Sequence, residues 1–252
     1  MALYKIAHML ESCNSDSPYF PPTELYNEGW LLRLILQWFS SNRIEGHPLS
    51  FLLFSKWFSE ALLPTAFLPR SQKDPLGESW THADGVIGHF DIGNQGNGDL
   101  SLREDTSQFM VLEAKMYSKL SPGVTHAKYF DQAARNVACI AETLKRANRD
   151  PNELSHLAFY VLAPKFQIDV GVFEKYITYD SIQSKVQRRV EEYGGEKDSW
   201  YDEWFKPTLD KISIACISWE SIIEEVEGTD ITSGMQIKEF YNLCKHYNGK
   251  TK

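Results

Sequence analysis

The chain has 252 residues, 42% apolar and 24% charged, which suits one globular domain with a sizeable core. Its net charge of −8 is not that of a protein that coats nucleic acid, although a nuclease with an acidic active site and a local basic groove is compatible with it. The scattered cysteines argue against a zinc site and a disulfide framework, and the lack of a signal-peptide pattern or a long apolar run predicts a cytoplasmic protein without membrane contact.

The N-terminal part predicts a lead-in followed by two helices. Residues 1–22 are polar and rich in turn formers, so we expect them to be loosely ordered. A helix is predicted from Thr23 to Ser41, with Thr23 as its N-cap, and Glu28 falls on its apolar side. The aromatic-rich stretch from Ser50 to Leu63 predicts a second helix, and residues 68–79 read as a connection.

Two strands are predicted next. One begins near Asp84 and runs to Ile92, and the other covers Gln108 to Met116. Between them, residues 93–98 have turn composition and residues 100–102 suggest a short strand extension. Since the connection is short, we expect the two strands to lie side by side in the sheet.

The remaining elements alternate between helix and strand. A long helix is predicted from Thr125 to Ala147, and a buried strand from Leu157 to Ala163. The C-terminal part predicts helices over 177–193, 221–227 and 235–247 and a strand over 212–219. This order predicts an α/β fold in which helices flank a mixed central sheet.

Glu113 and Lys115 lie two residues apart on one face of the predicted strand, at its C-terminal end. Unpaired charges are expensive to bury, so the pair needs an explanation. One interpretation is a solvated ion pair at an exposed strand end, which is common for Glu-x-Lys. The other is a metal site, in which Glu113 supplies a hard oxygen ligand to a divalent cation and Lys115 lies beside an attacked phosphate.

The pattern of charged residues resembles the PD-(D/E)XK nuclease superfamily. The matching residues are Asp84, within Ala-Asp-Gly-Val-Ile, and the triplet Glu113-Ala114-Lys115. Glu28 matches the acid of the first helix, and Gln132 matches the polar residue of the second helix. Two positions depart from the pattern. Ala83 replaces the motif's proline, and Asn136 rather than a tyrosine follows Gln132 by four residues.

The resemblance implies a restriction-endonuclease-like core over residues 23–164, with residues 165–252 as a C-terminal α/β elaboration packed on it. It also implies Mg²⁺-dependent hydrolysis of a phosphodiester in nucleic acid, with DNA as the favoured substrate and Mn²⁺ able to replace Mg²⁺. Asp84, Glu113 and the carbonyl of Ala114 would hold the metal, with Glu28 completing a second site or holding a water. Lys115 would act on the nucleophile, and Gln132 would position a phosphate or Lys115.

Two alternatives stay open from the sequence. The chain could be a catalytically silent nuclease fold that serves as a binding or scaffolding module, and it could act as a homodimer.

His82, His89 and His126 lack the spacing of metal ligands and are expected to be ordinary histidines. The aromatic residues between Trp200 and Phe205 are expected in the core or at an interface rather than stacked on bases.

Overall fold

The computed structural model describes residues 2–94, 96–122 and 127–249. The strands are β1 (Lys56–Leu63), β2 (Thr81–Gly88), β3 (Phe90–Ile92), β4 (Leu100–Leu102), β5 (Gln108–Ala114), β6 (His156–Ala163) and β7 (Ser213–Ser218). The helices are α1 (Ala2–Glu11), α2 (Glu28–Ser41), α3 (Gln132–Arg146), α4 (Lys165–Asp169), α5 (Glu174–Ile177), α6 (Tyr179–Glu191), α7 (Asp198–Trp200), α8 (Lys206–Lys211), α9 (Trp219–Thr229) and α10 (Ile231–Asn248). Short 3₁₀ turns cover Ser12–Asn14, Pro22–Glu24 and Pro151–Glu153, and a π turn covers Tyr201–Phe205.

A five-stranded mixed sheet with the order β1-β2-β5-β6-β7 forms the centre of the fold, and β3 and β4 form a separate hairpin. The pairs β1–β2 and β2–β5 are antiparallel, whereas β5–β6 and β6–β7 are parallel. Parallel neighbours need a crossover, which α3 supplies between β5 and β6. The predicted α/β fold with a mixed sheet and the predicted pairing of β2 with β5 are confirmed.

Helices cover both faces of the sheet. On one face α3, α6 and the aromatic segment around Trp200 pack against Phe109 and Val111 of β5. On the other face α2, α9 and α10 pack against Met110 and Leu112 of the same strand. Burial on both faces explains why β5 reads as a continuous apolar run until Glu113. Trp200 itself is buried, so the expectation of a core role for this segment is confirmed.

The predicted helix over Ser50 to Leu63 is wrong, because Lys56–Leu63 forms strand β1. A short apolar run does not by itself distinguish a strand from a buried helix. In this protein the pairing with β2 determines that the run is a strand, since Lys56 to Leu63 align with Gly88 to Thr81. The β1–β2 hydrogen bonds exist only in the folded chain, so local propensity does not report them.

The N-terminal part also differs from the sequence expectation. Residues 2–11 form helix α1 rather than a loose lead-in, although none of its residues is buried. Helix α2 begins at Glu28, and the N-cap is Asn27, whose side chain accepts the Trp30 N–H, rather than Thr23.

Helix α3 begins later than predicted, at Gln132, where the Asp131 side chain caps it by accepting two backbone N–H groups. The predicted start at Thr125, and His126, lie outside the described residues. Within the described residues, no helix has both the length and the apolar character needed to cross a membrane.

Candidate active site

The candidate site lies where strands β2 and β5 stop pairing. Their ladder ends at Gly85–Leu112, one position before Asp84 and Glu113 would face each other. Instead, the Asp84 carboxylate accepts the backbone N–H of Ala114 at 2.7 Å. A side chain therefore replaces the missing ladder bond, and it holds the Asp84 carboxylate against the end of β5. In an extended strand the N–H and C=O of one residue face the same neighbour, so the Ala114 carbonyl also faces β2.

The Glu113 carboxylate is surrounded by donors. Its Oε1 accepts the Gln132 side-chain amide at 2.7 Å and also contacts the Lys115 ammonium, while its Oε2 accepts the Asn136 amide at 3.1 Å. Gln132 and Asn136 are one helical turn apart on α3, so both side chains reach the same carboxylate. Glu113 is 1% exposed, and these contacts satisfy a charge that would otherwise be costly to bury.

Both carboxyl groups have raised pKa values. Burial is the main cause for Glu113, whose pKa rises to about 7, and the nearby Asp84 charge adds to it. Burial also raises the pKa of Asp84, the Ala114 N–H opposes the shift, and the charges of Glu60 and Glu28 add to it. Two adjacent carboxylates in a poorly solvated place repel each other, and a divalent cation between them would relieve that repulsion.

The backbone of Lys115 is fixed from two directions. Its N–H donates to the Leu162 carbonyl of β6 at 2.8 Å, and its carbonyl accepts the indole N–H of Trp219 at 2.9 Å. Trp219 is fully buried at the start of α9, so the C-terminal part of the chain helps to position the candidate site. The Lys115 side chain is mostly buried and points to Glu113 instead of to solvent. The interpretation of a solvated surface ion pair is therefore wrong.

Of the predicted residues, the structure brings together Asp84, Glu113, Lys115 and Gln132, whereas Glu28 only approaches them. Glu28 is the first residue of α2 and is half-buried, and its charge raises the pKa of Asp84. However, no cluster of three or more His, Cys, Asp or Glu side chains arranged to hold a metal occurs in the described parts of the chain.

Sequence reasoning missed Glu60. The β1–β2 register pairs Ser59 with Gly85 and Ala61 with Ala83, which puts Glu60 opposite Asp84. Glu60 has a φ of 59°, a left-handed conformation that is uncommon for a residue other than glycine, and its carboxylate lies 3.6 Å from Arg33 of α2. The sequence analysis assigned residues 50–63 to a helix, so it did not predict that Glu60 lies near Asp84. Only the assignment of residues 56–63 to strand β1 puts Glu60 beside Asp84.

Sequence reasoning also gave Asn136 no role, although its position four residues after Gln132 is a signal that it shares a helix face. Asn136 is 1% exposed, and its side-chain oxygen is buried without a hydrogen-bond partner. A buried polar atom without a partner usually marks a strained or functional place, or a missing water or ion.

The donor set at the end of β5 fits Mg²⁺ or Mn²⁺ in chemical type. The carboxylates of Asp84 and Glu113 and the Ala114 carbonyl are hard oxygen ligands, and such ions keep several waters beside one or two protein carboxylates. The unpartnered Asn136 oxygen beside Glu113 is a further acceptor there.

Comparison of the chain with protein-family models, with curated proteins and with solved structures gives no match. Function is therefore inferred from the geometry of the site alone.

Proposed function

We propose that this protein is a Mg²⁺-dependent phosphodiesterase that hydrolyses nucleic acid, with DNA as the favoured substrate. The observation that carries the proposal is the group at the end of β5, in which Asp84, Glu113 and Lys115 meet within a buried hydrogen-bond network. Perturbed carboxyl groups that lie beside an ammonium group are typical of catalytic sites.

The order of the elements supports a restriction-endonuclease-like core. Helix α2 precedes three antiparallel strands, β1, β2 and β5, and α3 then leads to β6, which is parallel to β5. The residues that carry the resemblance lie on these elements. Asp84 lies on the second of these strands, Glu113 and Lys115 at the end of the third, and Gln132 at the start of the second helix.

The residues divide the chemistry as follows. Asp84, Glu113 and the Ala114 carbonyl would hold Mg²⁺, with Mn²⁺ as a substitute, and the bound ion lowers the pKa of a water and offsets charge on the phosphate. Lys115 holds its ammonium beside the carboxylates, where it can orient the attacking water and stabilise charge in the transition state. Gln132 and Asn136 keep Glu113 in one orientation.

The test is cleavage of labelled single-stranded and duplex DNA and RNA with Mg²⁺, Mn²⁺ or EDTA. We expect cleavage with either metal by the wild type and its loss in Lys115→Ala and Glu113→Gln. Lys73→Ala, which changes an exposed lysine in the connection between β1 and β2, is the matched control and should cleave normally. Cleavage that persists unchanged in both site variants would indicate a contaminating nuclease and refute the proposal.

A second candidate function is a catalytically silent scaffold, and one observation favours it. Three donors from Lys115, Gln132 and Asn136 already occupy the Glu113 carboxylate, as in a purely structural ion pair. Calorimetric titration with Mg²⁺ or Mn²⁺ separates the two functions. If the site is catalytic, the wild type binds the ion and Asp84→Asn does not. If the protein is a scaffold, no metal binding depends on Asp84.

A further inference from the structure

Two exposed aromatic rings lie on the segments that follow β5 and β6. Tyr117 is 38% exposed and Phe166 is 49% exposed, and their ring centroids are 5.9 Å apart with the planes tilted by 39°. Large aromatic side chains contribute most when they are buried, so two that are exposed and in contact form a candidate binding surface.

The connectivity places this pair at the carboxyl-terminal end of strands β5 and β6, where Glu113 and Lys115 also lie. Tyr117 follows Lys115 by two residues, and Phe166 follows Ala163, the end of β6, by three residues. Strands β5 and β6 are parallel and paired up to Ala114–Leu162. The segments that carry the two rings therefore both begin at the carboxyl-terminal end of these strands.

Backbone and side-chain contacts hold the two residues in place. The Tyr117 hydroxyl donates to the Lys245 carbonyl of α10 at 3.3 Å, and Phe166 lies in the first turn of α4. Burial raises the pKa of Tyr117, and the Glu220 charge adds to the shift. The Glu220 carboxylate also accepts the Lys165 N–H at 2.8 Å and the Tyr241 hydroxyl at 2.7 Å.

Cations follow the same two segments. Lys119 lies two residues after Tyr117 and is exposed. Lys165 immediately precedes Phe166, and its side chain is 62% exposed, with the ammonium group paired to Asp169 at 2.9 Å. Aromatic rings with lysines beside them are the combination that binds single-stranded nucleic acid, because bases stack on the rings while the ammonium groups contact phosphates.

We propose that Tyr117 and Phe166 form a stacking platform for an unpaired base of a single-stranded nucleic acid whose backbone passes the end of β5. This inference rests on the proposed function and names its substrate class. A base within a duplex has no free face for the platform, so the platform selects single strands or frayed ends. Stacking does not depend on the sugar, so single-stranded DNA and RNA are both bound.

The test is fluorescence anisotropy with labelled oligothymidylate, oligouridylate and a hairpin duplex, in Ca²⁺, with strand integrity checked on a gel. Oligomers of about 12 nucleotides cover a typical binding site. We expect the wild type to prefer both single strands to the duplex. Tyr117→Ala and Phe166→Ala should each weaken single-strand binding about ten-fold or more, because one stacked base is lost, while hairpin binding stays unchanged.

Two controls separate stacking from structure. Tyr117→Phe keeps the ring and removes only the hydroxyl, so it should bind single strands like the wild type. Phe54→Ala changes an aromatic residue that is 78% exposed just before β1, at the opposite edge of the sheet, and should also have no effect. The thermal unfolding midpoint of each variant checks that it is folded.

Each outcome decides the question. Three results would overturn the platform. The alanine variants could bind single strands like the wild type, the wild type could prefer the hairpin, or Tyr117→Phe could lose as much single-strand affinity as Tyr117→Ala. If the wild type still cleaves nucleic acid with Mg²⁺ in those cases, the proposed function stands without the platform. A wild type that neither binds nor cleaves any of the probes overturns both.

Discussion

Replacing Glu113 with glutamine should change how the stability of this protein depends on pH. The folded pKa of Glu113 is about 7, compared with an ordinary value of 4.5, because burial and the Asp84 charge disfavour the ionised form. Glutamine has a similar shape and cannot ionise, and its amide oxygen can still accept bonds from α3. The variant therefore removes the charge at Glu113 and leaves most of the packing intact.

The expected magnitude follows from the shift in pKa. At 1.36 kcal/mol per pH unit, the difference between 4.5 and about 7 corresponds to about 3 kcal/mol. Since the folded state holds the proton more tightly than the unfolded state, the stabilisation from Glu113 is fully present below pH 4.5 and is lost as the pH rises through 7. The glutamine variant cannot ionise at this position, so its free energy of unfolding does not decrease in this way as the pH rises. Relative to the wild type, it should therefore gain up to about 3 kcal/mol between pH 4 and pH 8.

The assay is urea denaturation followed by circular dichroism, across this pH range and with EDTA present. Glu104→Gln, a change of an exposed glutamate in the loop between β4 and β5, is the control and should leave the pH dependence of the wild type unchanged. If the difference in unfolding free energy between Glu113→Gln and the wild type is the same at pH 4 and pH 8, Glu113 does not carry a raised pKa. The electrostatic reasoning about the site would then fail.

Three further variants test particular contacts by the free energy of unfolding. Glu60→Gly should stabilise the protein by about 1 kcal/mol, because glycine adopts the left-handed conformation without strain; a destabilised variant would contradict this. Trp219→Phe should cost about 1–3 kcal/mol by leaving the Lys115 carbonyl unpaired, and an unchanged denaturation midpoint would exclude that role. Arg189→Met should cost about 3–5 kcal/mol, since it breaks the buried ion pair and leaves Glu78 with only Arg135, 3.6 Å away, whereas the double change with Glu78→Gln should cost less.

Much of the site was predictable because its central residues follow one another on a single element. Glu113, Ala114 and Lys115 are consecutive, and the apolar run before them identified β5 and its burial on both faces. The order of the elements then predicted that Asp84 would lie on the neighbouring strand, and the resemblance implied that the next helix would supply Gln132. The structure places all of these residues together.

The N-cap positions were less predictable. Several Ser, Thr, Asp and Asn residues precede each predicted helix, and any of them can accept a backbone N–H. Asn27 rather than Thr23 caps α2, and Asp131 caps α3, so in both helices the cap lies inside the range that the sequence predicted as helical.

The sequence by itself determined the α/β class, the buried strand β5 and the charged triplet at its end, since these follow from the order and periodicity of apolar side chains. Only the tertiary structure decided that residues 56–63 form a strand, that Glu60 stands opposite Asp84, and that Trp219 holds the Lys115 carbonyl. These contacts join residues that are 24 and 104 positions apart. Their energies come from hydrogen bonds between distant segments, which no local pattern of residues contains.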